Sequence, residues 1–379
     1  MRKKHFLFAS VLALLCGSST LHAQDFKLTS SGYFKNQGVD VMAFDDIYPE
    51  GHQGGVCIIM NGHRVATNGD IRLEATPGQW QPVPKQLDRK LGDNSITATL
   101  CYPDSSRHLT GFNPMIYPDL HLIYTVNVES KGKNIEVTVD LDRPIPQEFI
   151  GKVGFNLEFF PGSLFGKPWI MDGQSGIFPQ QPNSPLMTTQ PNYLHTGNYH
   201  DGKQSLADMD KLIGKGYSPI VADDIISEPY AKGRKFTSRP DDPYNKVTIE
   251  SLSGDLQLFD GRMNHNNGWF VLRSNIKPGV TKGAVKWIIT PNVVADWMYQ
   301  PVIQTSQIGY HPAQDKEAVI EMDIRDNRKE TAQIIRIDAD GEKIVKNVTP
   351  ANWGKFLRYN YLKVNFTDVK EPGLYKIKY

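Results

Sequence analysis

The sequence runs to 379 residues, with 42 Lys and Arg against 41 Asp and Glu. That length accommodates two domains with cores of their own, and the balanced charge excludes both a basic nucleic-acid footprint and an acidic solvating tail. Its 25 Pro, 32 Gly and 10% aromatic residues suit a β-rich, loop-rich extracellular chain better than a helical bundle.

The first residues read as a targeting segment. Met1-Arg2-Lys3-Lys4-His5 is a basic n-region, and residues 6–15 form an apolar h-region too short to span a bilayer. Leu21-His22-Ala23 before Gln24 reads as a cleavage site, so residues 1–23 are expected to be removed. A lipoprotein reading through Cys16 ranks second, because Leu15 is larger than such processing accepts. No later apolar run has the length of a membrane helix, so no transmembrane segment is expected. Cys16 leaves with the leader. Cys57 and Cys101 then remain in an oxidising compartment, either as one disulfide or as two buried small hydrophobes in the apolar runs 56–59 and 100–102.

Residues 24–301 read as a β-rich domain. Residues 71–75 and 95–100 alternate apolar with polar. Residues 120–129 and 134–141, separated by Ser130-Lys131-Gly132-Lys133, predict a hairpin with one buried and one wet face. Residues 152–160 place Val153, Phe155, Leu157 and Phe159 on one side, and further strands are expected at 247–252, 255–259, 269–273 and 283–290. Many strands at short spacing argue for a large β-sandwich. The stretch 161–243 interrupts this pattern as a Gly-, Pro- and Asn-rich excursion. One helix is expected in it, capped at Ser205 and carrying Leu206, Met209, Leu212 and Ile213 as an apolar stripe.

Trp297-Met298-Tyr299-Gln300-Pro301 reads as a join, because Pro301 removes a ladder donor and fixes an extended approach. Residues 302–379 then predict a small immunoglobulin-like β-sandwich. Its strands are expected at 317–322, 331–338, 344–349, 361–365 and 374–378, with Asp340-Gly341 as a hairpin turn.

This last stretch opens Ser306-Gln307-Ile308-Gly309-Tyr310, then Pro312 and Lys316 before Ala318-Val319-Ile320. It closes with Phe366, Asp368, Pro372-Gly373, Tyr375 and Ile377. Opening and closing motifs together resemble the cellulase N-terminal immunoglobulin-like domain, which precedes the catalytic barrel in many glycoside hydrolases of family 9. Ser306 stands where that pattern has Asn. Gly309 permits a bend, Pro372-Gly373 sets up a turn, and Phe366 and Tyr375 are placed to fill a small core. The resemblance implies a secreted, periplasmic or cell-surface bacterial protein acting on a β-glucan or a related plant polysaccharide. It also implies inverting chemistry on a catalytic barrel expected C-terminal to Tyr379. The Asp-Ala-Gly-Asp-Tyr-type motif of that barrel does not occur in the chain, and Thr196-Gly197-Asn198-Tyr199-His200 carries an amide where the base belongs.

No catalytic residue is assigned. Asp45-Asp46 with Glu50 and Asp223-Asp224 with Glu228 are the densest acidic clusters before the terminal stretch. Neighbouring loop acids more often cap turns or sit in water than catalyse. Residues 260–269 hold many oxygens without the spacing of a calcium loop. No His or Cys pairing supports zinc, and neither a phosphate loop nor a serine elbow occurs, so no metal or cofactor is expected. Trp80, Trp169, Tyr193, Tyr199 and Trp269 are aromatic enough to stack on sugars, against core packing as the plainer alternative. Trp169, Tyr193 and Tyr199 fall in the loop-rich stretch and are the sugar-contact candidates.

Three readings result. The first is the non-catalytic N-terminal region of a secreted endo-β-glucanase-type hydrolase. The second is a stand-alone cell-surface glycan-binding protein. The third makes residues 24–301 an enzymatic sandwich of mutarotase-like or lyase-like fold around the acidic clusters.

Overall fold

The computed structural model describes residues 25–45, 47–48, 51–52, 54–74, 76–77, 84–102, 120–182, 186–188, 225–263 and 268–379. Among these the protein is all-β, with only short 3-10 turns between strands. The helix expected from Ser205 lies outside the described residues.

Two nine-stranded antiparallel sheets form a large sandwich. Sheet I runs, in spatial order, through Lys27–Leu28, Phe34–Asn36, Val39–Ala43, Val56–Met60, His63–Leu73, Val153–Phe159, Phe270–Asn275, Leu256–Asp260 and Ala231–Gly233. Sheet II runs through Gln174–Ile177, Pro168–Met171, Lys235–Ser238, Val247–Ser251, Val285–Pro291, Asn134–Leu141, Ile123–Lys131, Ser95–Cys101 and Lys85–Leu91. The hairpin expected around Gly132 is present, with Lys131 paired to Asn134 and Gly132 at φ +65°. Strict alternation of buried and half-buried residues along both its strands explains why it was legible.

The two sheets share one apolar core. Phe155 of sheet I meets Trp287 of sheet II edge to face at 5.0 Å, and Trp287 Nε1 donates to Ser274 Oγ across the gap at 3.0 Å. Trp287 is fully buried, so its indole N–H needs this partner. Every residue of Val153–Phe159 is buried, including Asn156 and Glu158 on the side away from the expected apolar face. There Arg273 donates to Glu74 Oε1 (3.2 Å) and Asn156 Oδ1 (3.1 Å), and Asn156 Nδ2 donates to Glu74 Oε1 (2.6 Å). Sheet I is therefore covered on both faces. A buried ion pair satisfied by such hydrogen bonds is tolerated where a lone charge would not be.

The terminal sandwich has its own core of Ala318, Ile320, Met322, Ala332, Ile334, Leu362, Val364 and Phe366. One sheet orders Val302–Gln304, Glu317–Asp323, Tyr359–Asn365 and Ala351–Phe356. The other orders Gly341–Val348, Ala332–Asp338 and Leu374–Lys378. The expected turn at Asp340-Gly341 sits one residue earlier: Asp338 pairs with Gly341, which opens the returning strand. The Ala351–Phe356 strand is additional to those the sequence predicts.

The opening motif acquires a physical role. Lys316 is buried, and its ammonium donates to the carbonyls of Pro312 (2.8 Å) and Gln314 (3.1 Å), closing the loop that Gly309 bends at φ +80°. Tyr310 packs on Phe366 at 5.1 Å and donates its hydroxyl to the Glu317 carbonyl.

Candidate functional site

Residues 292–301 connect the Val285–Pro291 strand of sheet II to the first terminal strand, Val302–Gln304. Two glycines of sheet I receive this connection. Gly38 has φ +66°, and a Cβ there would stand 2.7 Å from Trp297 Cε3. Gly62 has φ +84°, and a Cβ there would stand 3.3 Å from Tyr299 Cε2. Only a residue without a side chain both adopts these turns and admits the rings so closely. Gln37 Nε2 (2.7 Å) and Arg325 Nη2 (2.6 Å) donate to the Trp297 carbonyl from opposite sandwiches.

A cleft of about 490 Å³ lies here between the two sandwiches, with Gln37, Asp40, Trp297, Tyr299, Arg325 and Arg358 in its wall. That is within the range of small-molecule sites, roughly 300–1,000 Å³. Arg358 Nη1 donates to Asp40 Oδ2 at 2.8 Å. Burial raises the Asp40 carboxyl above the ordinary carboxylate range despite the pull of Arg358 and Lys35. Asp323 accepts from Arg325 Nε (2.8 Å), Arg325 Nη2 (2.9 Å) and the Tyr299 N–H (3.1 Å). The bonds from Arg325, joined by the Tyr299 N–H, hold its carboxyl down at about 2. Asp40 and Asp323 are both engaged by guanidinium partners, so in the cleft wall they serve as paired acceptors.

A row of aromatic rings leaves the cleft and crosses the outer face of the four-stranded terminal sheet. Trp297 lies 6.4 Å from Tyr299, Tyr299 lies 5.2 Å from Tyr359, Tyr359 lies 6.1 Å from Tyr361, and Tyr361 lies 5.9 Å from Trp353. Tyr359 and Tyr361 share a face because a strand repeats every two residues. Trp353 is the extra residue of a bulge between Asn352 and Gly354, a device that re-aims side chains. It is 58% exposed and carries the Lys363 ammonium 4.8 Å from its ring centroid. Tyr299 donates its hydroxyl to Glu321 Oε1 at 3.0 Å. Burial, with Glu321 close by, raises the phenols of Tyr299, Tyr359 and Tyr361. They remain protonated donors at neutral pH.

The expected sites fall elsewhere. Trp169 is buried at 6% exposure on Pro168–Met171, with Tyr230 at 6.5 Å and Gly176 directly against its ring. As a core residue of sheet II it has no face left for a sugar, which corrects the expectation of an exposed loop there. Tyr193 and Tyr199 lie outside the described residues, as do Trp80, Asp46, Glu50, Asp223 and Asp224. Asp45 pairs with Arg89 at 3.7 Å, and Glu228 is exposed. Asp260 is fully buried, held by Arg262 and by the Tyr230 hydroxyl, as a turn-forming acid. Trp269 packs edge to face on Phe160 at 4.5 Å. Cys57 on sheet I and Cys101 on sheet II are both buried. Among the described residues no group of three or more His, Cys, Asp and Glu side chains is placed to hold a metal. No described helix is long and apolar enough to cross a membrane.

The row itself was missed. Its one sequence signal is the Tyr359-x-Tyr361-x-Lys363 alternation; Trp297 and Tyr299 read in the sequence only as a join.

Residues 298–379 match the family described as cellulase N-terminal Ig-like domain. That match points to the N-terminal region of a cellulase-type enzyme. No curated protein matches. Among solved structures the chain is similar to the Slr1438 protein of Synechocystis sp. PCC 6803. The identity is 11%, the TM-score is 0.31, and the alignment covers 77% of this chain and 100% of that one.

Proposed function

We propose that this chain is the non-catalytic N-terminal region of a secreted, inverting, endo-β-glucanase-type glycoside hydrolase of family 9. The observation that carries the reading is the match of residues 298–379 to the cellulase-associated immunoglobulin-like domain. Three features of the structure support it. The terminal sandwich is tied to the large one by Arg358–Asp40 and by the Trp297 carbonyl, which accepts from both sides. Three of its carboxylates serve as partners for Arg or Lys, in Asp323–Arg325, Asp326–Arg328 and Asp368–Lys346. Inverting hydrolysis needs a protonated acid and a base roughly 6.5–9.5 Å apart across a sugar. A buttress that fixes a partner domain over its substrate needs rigid attachment and no such pair.

The test has two arms. Purified protein is incubated with soluble β-glucans and assayed for reducing ends, and the reading expects none. The nucleotide sequence beyond the Tyr379 codon is read for an Asp-Ala-Gly-Asp-Tyr-type motif. Reducing-sugar release by this chain alone, or a downstream sequence encoding no barrel, overturns it.

A further inference from the structure

We propose that the aromatic row Trp297–Tyr299–Tyr359–Tyr361–Trp353, with the cleft it leaves, is a binding track for a neutral β-linked glycan chain. The proposal rests on the cellulase-type reading for the linkage class alone.

Five rings in succession, each 5.2–6.4 Å from the next, make an extended site suited to a polymer. Neighbouring rings stand at 56–68°, so faces and edges alternate along it. A pyranose chain has the matching character, with apolar C–H faces bordered by hydroxyl edges. The polar border argues the same way. Lys363 pairs with Glu317 at 2.9 Å, Arg325 with Asp323 at 2.8 Å, and Arg358 with Asp40 at 2.8 Å. Sugar hydroxyls both donate and accept, so they satisfy the spare valences of either sign in such pairs. An anionic chain would find few unmatched cations: three carboxylates face four cations in the cleft wall. A protein partner would have to cover these paired charges, which costs desolvation without a compensating ion of its own.

Trp353 is the variant of choice, because at 58% exposure it lies outside both cores. Affinity electrophoresis of the whole chain is run in gels containing hydroxyethylcellulose, xyloglucan, starch or polygalacturonate. Titration with cellohexaose follows in a calorimeter. Wild type is expected to be retarded by the two neutral β-glucans. Trp353→Ala and Tyr359→Ala should each weaken cellohexaose binding by about three- to ten-fold, the loss of one aromatic contact. Leu374→Ala, also exposed but on the opposite terminal sheet, serves as control and should bind as wild type.

Absence of retardation in every gel, or binding that Trp353→Ala and Tyr359→Ala leave intact, overturns the track while the cellulase-type reading stands. Retardation by polygalacturonate alone overturns its neutral specificity. Retardation by starch alone, abolished by Trp353→Ala, overturns the β-linked occupant, and the cellulase-type reading then stands or falls on its own two-armed test. Light scattering gives the remaining outcome: a dimer that Trp353→Ala dissociates makes the row a protein interface and overturns the proposal.

Discussion

Arg358 of the terminal sandwich donates a 2.8 Å hydrogen bond to Asp40 of the large one, across 318 positions of sequence. Asp40 is 8% exposed, and burial already pushes its carboxyl up. Arg358→Ala strands that carboxylate and should cost about 1–3 kcal/mol. An acid with a raised folded value contributes stability below its ordinary value and loses it as pH rises. Removing Arg358 raises Asp40 further, so the cost should be larger at pH 8 than at pH 4. Urea denaturation of both proteins at the two pH values measures this. Equal losses would mean that Arg358 contributes packing alone.

Gly38 is the seat of Trp297. Alanine there meets the ring at 2.7 Å and Asn61 Oδ1 at 2.5 Å, at a φ of +66° that a side chain disfavours. Gly38→Ala should destabilise by about 1–3 kcal/mol and shift Trp297 toward solvent, read as a red-shifted tryptophan emission. Gly62→Ala, with Tyr299 at 3.3 Å, should cost less. A Gly38→Ala protein with unchanged melting and emission would show that the turn and ring can separate freely.

Asp323 anchors the other side of the join. Its carboxyl, held at about 2 chiefly by Arg325, lies below the ordinary 3.8. A depressed acid contributes stability above its ordinary value and loses it as pH falls toward the folded one, here between about 3.8 and 2. Asp323→Asn should therefore lose about 2 kcal/mol at pH 7 and little at pH 2. Thermal unfolding across pH 2–7 gives the comparison; a deficit that persists undiminished at pH 2 would refute the linkage.

Much of the architecture was readable because alternation is a local signal. Ile123–Lys131 and Asn134–Leu141 announce a hairpin residue by residue, and so do the terminal strands Glu317–Asp323 and Ala332–Asp338. The aromatic row was not readable because it joins a connector to a hairpin some sixty positions on, through Ala351–Phe356. That strand has no alternation to see: Gly354 and the bulge at Trp353 interrupt its period. Trp169 misled for the opposite reason. Its Gly- and Pro-rich neighbours suggest a loop, but Pro168–Met171 alternates in burial and pairs on both sides. Glu74 and Arg273 lie 199 positions apart, so nothing local marks either as buried.

Glu74 provides the final prediction. Burial pushes its carboxyl up to about 7 from 4.5, against the opposing pull of Arg273, Arg72 and the Asn156 amide. Its contribution to stability is complete below 4.5 and is lost as pH rises through about 7. Wild-type stability should therefore carry a downward slope of about 1–3 kcal/mol between pH 5 and 8 from this residue. Glu74→Gln retains an acceptor for Asn156 Nδ2 and Arg273 Nη1 but cannot ionise. The variant should lie close to wild type at pH 5, where both side chains are neutral, and become the more stable protein toward pH 8. Urea denaturation at half-unit intervals follows both curves. Parallel curves would show that Glu74 keeps one protonation state throughout, and that its ion pair with Arg273 outweighs the cost of burying the charge.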